Sequence, residues 1–309
     1  MSKSAFIFPG QGSQAVAMLA DLGDETMIRQ TFQEASGALG YDLWELVQSG
    51  PAEVLNSTDK TQPALLTSGV ALWRLWQQRG GWRPDYIAGH SLGEYTALVC
   101  AGVFNLGDGV RLVEKRGQFM QQAVPAGTGA MAAILGLDDD QVRAACAAAA
   151  QGDVVEAVNL NAPGQVVIAG SVAAVERAIA ACKEAGAKRA MPLPVSVPSH
   201  CALMKPAAEQ LAQVLDGMTM HAVELPLINN VDVAVETDLA KIREALVRQL
   251  YSPVRWVEIV QRLSAEGVTH AYECGPSKVL AGLVKRIDKE ITVSALDNAA
   301  AFKLALGEA

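Results

Sequence analysis

Short apolar runs alternate with amphipathic segments along this chain, and the alternation predicts an α/β fold. Residues 5–8 are continuously apolar and are followed at once by Pro9-Gly10, which is the pattern of a buried strand that ends in a turn. Residues 61–78 carry apolar side chains at helical spacing with Pro63 in the first turn, and residues 85–88, Asp-Tyr-Ile-Ala, are predicted to form another short strand. Strands and helices that alternate in this way form a parallel sheet covered by helices on both faces.

The middle of the chain has a different order of elements. Between residues 127 and 197 the pattern predicts a strand, a helix, two strands joined by a turn at residues 161–164, a helix and a last strand. This β-α-β-β-α-β order is that of a ferredoxin-like unit. We therefore predict a larger α/β unit, residues 1–126 and 198–309, into which a smaller ferredoxin-like unit, residues 127–197, is inserted.

Composition and charge exclude several classes of protein. The 309 residues include 25 Lys and Arg against 33 Asp and Glu, and the net charge of −8 argues against a protein that binds nucleic acid. No apolar run approaches the roughly 20 residues that span a bilayer. The five cysteines form no C-x-x-C pair, as expected for reduced thiols rather than disulfides or a zinc site. We therefore expect a cytoplasmic protein with no nucleic-acid, membrane or metal partner.

Residues 89–93, Gly-His-Ser-Leu-Gly, match the G-x-S-x-G nucleophile elbow. Glycine on either side of the serine permits a tight turn from a strand into a helix, which leaves the hydroxyl of Ser91 exposed. The N–H of Leu92 then lies free at the helix N-terminus, where it can stabilise an oxyanion. An apolar run precedes the motif and a helical pattern follows it, so that Ser91 is predicted to be a catalytic nucleophile rather than part of an ordinary glycine-rich turn.

A serine nucleophile needs a base within hydrogen-bond distance, and the chain has four histidines. The side chain of His90 is expected to diverge from that of Ser91, His221 to lie on the surface, and His270 to be partly buried in a structural role. His200 follows a strand that ends at a proline turn, a place where α/β folds position functional groups. A catalytic and a structural role for His200 both remain open from its position alone.

Two further patterns also leave alternatives open. Residues 10–15 fit the G-x-G-x-x-A dinucleotide fingerprint, but no strand ending in an acidic residue follows about 20 residues later, so a nicotinamide site is not predicted. These glycines do suit a loop whose N–H groups face a ligand. Arg116 lies in a predicted helix over residues 110–122, where it forms either a solvated ion-paired face or a fork for a substrate carboxylate.

Several short motifs are spread along the chain from about Phe6 to Leu296. They are Phe8-Pro9-Gly10-Gln11-Gly12-Ser13-Gln14, Thr61-Gln62-Pro63-Ala64, Gly89-His90-Ser91-Leu92-Gly93-Glu94-Tyr95, Arg116-Gly117, Asn161-Ala162-Pro163-Gly164-Gln165, Val197-Pro198-Ser199-His200, Val247-Arg248-Gln249-Leu250 and Glu273-Cys274-Gly275-Pro276. Taken together, these motifs resemble those of the malonyl-CoA:acyl carrier protein transacylases of bacterial fatty-acid synthesis. The resemblance implies an α/β-hydrolase-like larger subdomain with a parallel sheet and a ferredoxin-like smaller one.

The resemblance also implies a role for each matching residue. Ser91 is the nucleophile that becomes acylated, and His200 is its base, oriented by the main-chain carbonyl of Gln249 rather than by a carboxylate. The N–H groups of Gln11 and Leu92 form the oxyanion hole.

On the substrate side, the resemblance implies that Arg116 pairs with the malonyl carboxylate, and Gln249 is placed with it among the substrate-binding residues. The reaction is a ping-pong transfer from malonyl-CoA to the phosphopantetheine thiol of acyl carrier protein through a malonyl-serine ester. No cofactor takes part, because CoA and phosphopantetheine enter as substrates. We expect the protein to be a monomer.

Two other functions are kept as alternatives. A serine esterase or thioesterase of the α/β-hydrolase type would use Asp232 or Asp238 with His270, because such enzymes place the acid and then the histidine late in the chain. It would also tend to carry an HGGG-type oxyanion segment, which this sequence lacks. A catalytically silent module that binds a carrier protein would not need a nucleophile, a base and an arginine together.

Docking of the carrier raises a question of charge. Acyl carrier proteins are typically acidic, and this chain is itself acidic, so productive docking requires a local basic patch near the mouth of the cleft. The candidate residues are Lys183, Lys188, Arg189, Lys285 and Arg286.

Overall fold

The computed structural model describes residues 2–195 and 197–308, which form two sheets flanked by helices. Met1, Ser196 and Ala309 are outside the described part of the chain, and so is any prediction made for those three residues. The strands are β1 (Lys3–Phe8), β2 (Tyr86–Gly89), β3 (Gly129–Leu135), β4 (Val155–Ala162), β5 (Gln165–Ser171), β6 (Arg189–Pro192), β7 (Leu227–Ile228), β8 (Val268–Glu273) and β9 (Thr292–Ala295). The α-helices are α1 (Thr26–Leu39), α2 (Leu43–Ser49), α3 (Ala52–Leu55), α4 (Thr58–Gln78), α5 (Leu92–Cys100), α6 (Leu106–Gln122), α7 (Asp139–Ala150), α8 (Val172–Glu184), α9 (Lys205–Asp216), α10 (Leu239–Gln249), α11 (Trp256–Ala265), α12 (Val279–Ile287) and α13 (Ala299–Leu306).

The larger sheet has five parallel strands in the order β7-β2-β1-β8-β9. Its central strand, β1, is buried on both faces, which is why its sequence is continuously apolar rather than alternating. Phe6 and Phe8 pack into the core on one face, and Ala5 and Ile7 pack into a second core on the other. The carboxyl ends of β1 and β2 therefore lie side by side at one edge of the sheet.

The smaller sheet has four antiparallel strands in the order β4-β5-β3-β6. Along the chain its elements run β3-α7-β4-β5-α8-β6, the order predicted for a ferredoxin-like unit. Helices α7 and α8 contribute to a separate apolar core beneath this sheet. The predicted α/β fold class is confirmed. The boundaries at residues 127 and 197 stay a prediction, with β3 beginning at Gly129 and β6 ending at Pro192.

Main-chain hydrogen bonds join the smaller sheet to the larger unit. The N–H of Val254, which precedes α11, donates to the carbonyl of Val158 at 2.9 Å, and the N–H of Leu160 donates to the carbonyl of Val254 at 3.0 Å. These bonds make a short parallel bridge between Asn159 and Val254, and Val254 is fully buried. Strand β4 is thus fixed directly to the body that carries the larger sheet.

Three local predictions are wrong. Helix α4 begins at Thr58, so Pro63 lies inside the helix rather than in its first turn. The sequence pattern misses the earlier start because residues 58–60 are polar and do not extend the apolar pattern. Asn161 lies within β4 instead of in the turn, because β4 continues to Ala162. His270 is exposed rather than partly buried, since it lies in the exposed amino-terminal half of β8.

The remaining sequence expectations concern membranes, thiols and metals. No helix in the described residues is long and apolar enough to cross a membrane. All five cysteines are free thiols in the interior. Within residues 2–195 and 197–308, no group of three or more His, Cys, Asp or Glu side chains is placed to hold a metal ion.

Candidate active site

Ser91 lies on the sharp turn between β2 and α5, with the backbone in a conformation that side chains rarely adopt (φ 52°, ψ −109°). The two glycines of the motif make this turn possible. A Cβ on Gly89 would lie 1.9 Å from the carbonyl carbon of Gly93, and a Cβ on Gly93 would lie 2.0 Å from the carbonyl oxygen of Phe8. Both distances are far inside van der Waals contact, so the turn requires glycine at each position. The predicted nucleophile elbow is present.

His200 is the histidine that lies within hydrogen-bond distance of this serine. Its Nε2 is 2.7 Å from Ser91 Oγ, and its Nδ1 is 2.7 Å from the main-chain carbonyl oxygen of Gln249. A carbonyl oxygen can only accept a hydrogen bond, so Nδ1 carries the proton and Nε2 is left to accept the serine hydroxyl. This is the tautomer that a general base needs, and it is fixed by the main chain without any carboxylate.

The charge state of His200 follows from its surroundings. The side chain is 2% exposed, and burial together with the nearby positive charge of Arg116 lowers the pKa of His200 to about 3. The imidazole is therefore neutral at physiological pH and available as a base. Its position is set by the loop between β6 and α9, where the N–H of His200 donates to the carbonyl of Leu250 at 2.9 Å.

Arg116 is buried in the floor of the site, with 1% of its surface exposed. Its Nη1 donates to Gln62 Oε1 at 2.9 Å, and its Nη2 donates to Gln249 Oε1 at 3.0 Å and to Ser91 Oγ at 3.3 Å. These partners are neutral amides and a hydroxyl, so the solvated ion-paired alternative for Arg116 does not apply. A guanidinium fork beside the nucleophile can bind a carboxylate.

Two N–H groups near Ser91 are free to bind an oxyanion. Neither the N–H of Leu92, at the start of α5, nor that of Gln11, after β1, donates to an acceptor in the described part of the chain. The N–H of Ser91 itself is engaged, because it donates to Asn230 Oδ1 at 2.7 Å. The loop that carries Gln11 approaches the elbow closely because residue 10 is glycine: a Cβ there would lie 2.6 Å from the carbonyl oxygen of His90.

These groups open into a cleft of about 270 Å³ between the two sheets. The larger unit contributes Gln11, His90, Ser91, Leu92, Arg116 and His200 to its lining, and the smaller unit contributes Met131, Asn159 and Leu193. The structure thus places Ser91, His200, Arg116, Gln249, Gln11 and Leu92 in one site. A mixed apolar and polar cleft of this kind suits an acyl chain carried on a flexible arm.

The acid and histidine of the esterase alternative do not come together. Both carboxylate oxygens of Asp232 accept hydrogen bonds from Arg248, at 2.9 and 2.6 Å. Asp238 caps the N-terminus of α10 by accepting from the N–H of Ala240 at 2.8 Å, and His270 is exposed on β8. The geometry therefore does not provide the triad that a hydrolase of that type would use.

Several supporting residues were not predicted as site residues. Asn230, after β7, accepts from the N–H of Ser91 and donates to the carbonyl of Gly89. These two hydrogen bonds hold the main chain of the elbow in place. His90 turns away from Ser91, as predicted, and its Nε2 lies 2.8 Å from Asn161 Oδ1 on β4. Asn161 belongs to a motif that the sequence offered, whereas Asn230 follows a strand of two residues and gives no comparable signal.

A serine on a strained turn, paired with a neutral histidine beside two free N–H donors, defines an enzyme that forms acyl-serine intermediates. The chain belongs to the acyl transferase domain family, whose profile matches residues 5–296. The resemblance inferred from the motifs is thereby confirmed.

Similar proteins of known name match this chain over nearly its whole length. It is 63% identical over 307 residues to the malonyl CoA-acyl carrier protein transacylase of Salmonella typhimurium, covering 99% of both chains. The crystal structure of an acyl carrier protein S-malonyltransferase from Vibrio cholerae matches with a TM-score of 0.96 at 62% identity, over 98% of this chain and 99% of that one. A malonyl-transacylase in complex with its type II PKS acyl-carrier protein matches with a TM-score of 0.98 at 57% identity, over 100% of both.

Proposed function

We propose that this protein transfers the malonyl group from malonyl-CoA to the phosphopantetheine thiol of an acyl carrier protein, which supplies extender units for fatty-acid synthesis. The observation that carries the proposal is the position of Arg116. Its guanidinium is buried, donates only to neutral oxygens and lies 3.3 Å from the nucleophile. A buried cation so close to Ser91 favours an acyl group that ends in a carboxylate. The names of the similar proteins agree with that substrate.

In the first half-reaction, Ser91 Oγ attacks the thioester carbonyl carbon of malonyl-CoA. His200 Nε2 takes the hydroxyl proton, because the 2.7 Å contact already aligns it with Oγ. The negative charge that develops on the carbonyl oxygen is stabilised by the N–H groups of Gln11 and Leu92. The C–S bond then breaks, CoA leaves as a thiolate that takes the proton from His200, and the malonyl group remains as an ester on Ser91.

The second half-reaction uses the same groups in reverse order. The phosphopantetheine thiol of the carrier gives its proton to His200 Nε2, and the thiolate attacks the ester carbonyl. When the C–O bond breaks, His200 returns the proton to Ser91 Oγ. The carbonyl of Gln249 holds the Nδ1 proton throughout, so the imidazole keeps one orientation in both directions.

Arg116 binds the carboxylate end of the substrate in this proposal, and Gln249 contributes by accepting from the guanidinium through Oε1 at 3.0 Å. The Nη2 group that donates to Ser91 Oγ and Gln249 Oε1 can turn to the malonyl carboxylate, while Gln62 holds Nη1. The guanidinium then faces the substrate as a fork, which an ammonium group cannot match.

Intact-mass measurement after incubation with malonyl-CoA and, separately, with acetyl-CoA tests this function. We expect a malonyl adduct on the wild-type protein that Ser91→Ala abolishes and that the thiol of a holo carrier protein removes. A wild-type protein without an adduct would support the silent binding module instead.

A histidine pair separates transfer from hydrolysis. His200→Ala should prevent adduct formation, whereas His270→Ala should leave it unchanged, because His270 is exposed on β8. Loss of activity in His270→Ala would support the esterase. Initial rates should give parallel double-reciprocal lines for the two substrates, and intersecting lines would refute the two-step scheme.

The remaining expectations stay predictions. We propose that no cofactor takes part beyond the two thiol-bearing substrates, and that the protein acts as a monomer in the cytoplasm. An acyl carrier protein is the partner that the function requires, and one of the similar structures contains such a partner bound to its own enzyme.

A further inference from the structure

A buried carboxylate lies beneath the nucleophile and takes no direct part in the proposed reaction. Glu94 follows Ser91 by three residues, in the first turn of α5, and is 2% exposed. One of its oxygens, Oε2, accepts from Gln249 Nε2 at 2.8 Å and from the N–H of Asn230 at 3.0 Å. Burial of a carboxylate costs free energy because the charge loses its hydration. Packing alone therefore does not explain why a carboxylate lies here.

Gln249 connects this carboxylate to Ser91, His200 and Arg116. Its Nε2 donates to Glu94 and to the carbonyl of Ser91 at 3.0 Å, while its Oε1 accepts from Arg116 at 3.0 Å. Its main-chain carbonyl accepts from His200. Glu94 and the carbonyl of Ser91 both accept from Nε2, and Arg116 can only donate to Oε1. These contacts together fix the amide with its oxygen towards Arg116, and the contact with Glu94 is the charged one among those of Nε2.

Glu94 also balances a charge. The hydrogen-bond partners of Arg116 are neutral, and the buried carboxylate that reaches it, through one amide, is that of Glu94. The two opposite charges stabilise each other across Gln249 while neither is exposed. A malonyl carboxylate that approaches Arg116 would therefore compete with Glu94 for the same positive charge.

We propose that Glu94 is a positioning residue that orients Gln249 and that its negative charge sets how strongly Arg116 attracts a carboxylated acyl group. This inference rests on the proposed malonyl transfer and deepens it. The carboxylate touches neither substrate nor the reacting atoms, so it acts through Gln249 and Arg116 alone.

The proposal gives the site a specific pH dependence. Burial raises the pKa of Glu94 to about 7, against the opposing effects of its two hydrogen bonds and of Arg116. Below that pH the carboxyl is neutral, and Oε2 can still accept both hydrogen bonds. Arg116 then lacks its counter-charge and attracts a malonyl carboxylate more strongly. Capture of malonyl-CoA should accordingly weaken as pH rises from 6 to 8, while capture of acetyl-CoA should not.

The other titratable groups around Glu94 have pKa values that burial or ion pairing shifts. Burial lowers the pKa of His200 to about 3 and that of His90 below its usual range, and burial raises the pKa of Tyr95 to about 12. Arg248 holds the pKa of the Asp232 carboxyl below its usual range. Among these groups, Glu94 is the one whose pKa burial raises to about 7.

Single-turnover malonylation and acetylation of Ser91, followed by mass from pH 6 to 8.5, test the proposal with two variants. Glu94→Gln keeps an acceptor oxygen and removes the charge, so its rate at saturation should remain near wild type while the inflection near pH 7 in malonyl kcat/KM disappears. Glu94→Ala removes the acceptor as well, and its rate with both acyl groups should fall roughly ten-fold to a hundred-fold. Recovery of that rate in Glu94→Gln separates orientation from charge.

Glu273→Gln is the matched control. Glu273 is also fully buried, burial also raises its pKa to about 7, and it accepts from the N–H groups of Leu280 and Ala281 at the start of α12 rather than from the site. This variant should change the melting temperature but leave the malonyl pH profile at the wild-type shape.

Two results would overturn the proposal: a Glu94→Gln enzyme that keeps the inflection, or a wild-type enzyme whose malonyl and acetyl profiles coincide. If Glu94→Ala does not fold, the malonyl pH profile of Glu94→Gln alone tests the proposal. Failure of the proposed function would look different, because the wild-type protein itself would then take no malonyl group on Ser91.

Discussion

At the scale of single residues, the site depends on charges that are buried rather than solvated. Arg116 and His200 lie side by side in the interior, and the cation helps to keep the imidazole neutral. In the proposed function one side chain thus serves two purposes: it offers a fork for an anionic acyl group, and it helps to keep the base unprotonated. Removing it should change both selectivity and the basicity of His200.

Substitution of Arg116 tests the first purpose. Arg116→Ala should lower malonyl kcat/KM by roughly a hundred-fold or more, because the carboxylate would enter the cleft without a partner. Relative tolerance for acetyl-CoA should rise. The malonyl kcat/KM of Arg116→Lys should lie between those of the wild-type protein and Arg116→Ala, because lysine keeps the charge and loses the fork. Competition between malonyl-CoA and acetyl-CoA, read by mass on Ser91, gives the ratio. An unchanged ratio in Arg116→Ala would contradict the assignment.

The second purpose is visible by NMR. Because burial and Arg116 lower the pKa of His200 to about 3, its ring signals should not titrate between pH 8 and 5. In Arg116→Ala the repulsion is gone, so the titration should move to higher pH, although burial still holds it below the ordinary value. A His200 that titrates near pH 6.5 in the wild-type protein would show that the ring is more solvated than the structure indicates.

At the scale of elements, the strand-to-helix turn sets where chemistry can occur. Glycines 89 and 93 let α5 start directly against β1 and β2, which presents Ser91 at the edge of the sheet. The same close packing brings Leu92, whose N–H donates to no acceptor in the described residues, to the wall of the cleft.

Gly93→Ala should collapse this arrangement. Its methyl group would lie 2.0 Å from the carbonyl oxygen of Phe8, so α5 must move away from β1. We expect a loss of about 3 kcal/mol or more in the free energy of unfolding, together with loss of malonylation. Gly37→Ala is the control, because a Cβ there meets nothing within 4 Å in α1, and it should be neutral or stabilising by up to about 1 kcal/mol. Urea unfolding compares the two, and similar stabilities would refute the steric account.

The elements also show how far sequence alone can go. Ser91 is predictable because glycine spacing and a strand-helix context are local. His200 stays ambiguous among four histidines because its partner is a main-chain carbonyl, which any residue type can supply. The surroundings of Arg116 come from α4 and α10, 54 and 133 residues away along the chain, and no local pattern reports such contacts. The role of Asn230 could not be predicted for the same reason, since this residue follows a strand of only two residues.

At the scale of the whole molecule, the distribution of charge matters for the partner. The net charge is −8, so an acidic carrier meets a repulsive field except where basic side chains gather. Lys188 and Arg189 are exposed at the start of β6, and the chain that leaves β6 lines the cleft at Leu193. Arg286 is instead engaged by Gln165 and by the carbonyl of Pro163.

Reversal of Lys188 and Arg189 to Glu should raise the KM for the carrier protein and leave malonylation by malonyl-CoA nearly intact. The effect should shrink as salt screens the charges. Lys303→Glu, on α13, is the control, since α13 contributes nothing to the cleft lining. Stopped-flow measurement of both half-reactions distinguishes the outcomes, and equal losses in both would assign the two residues to the fold or to CoA binding.

The main-chain bridge between β4 and Val254 has a kinetic consequence. Two main-chain hydrogen bonds hold the smaller sheet, and the His90–Asn161 contact ties it to the residue next to the nucleophile. The cleft is therefore pre-organised, and a substrate need not wait for a hinge to close. An inhibitor shaped to this rigid gap would lose little entropy on binding, whereas one that must wedge β4 away from Val254 would have to break main-chain hydrogen bonds first.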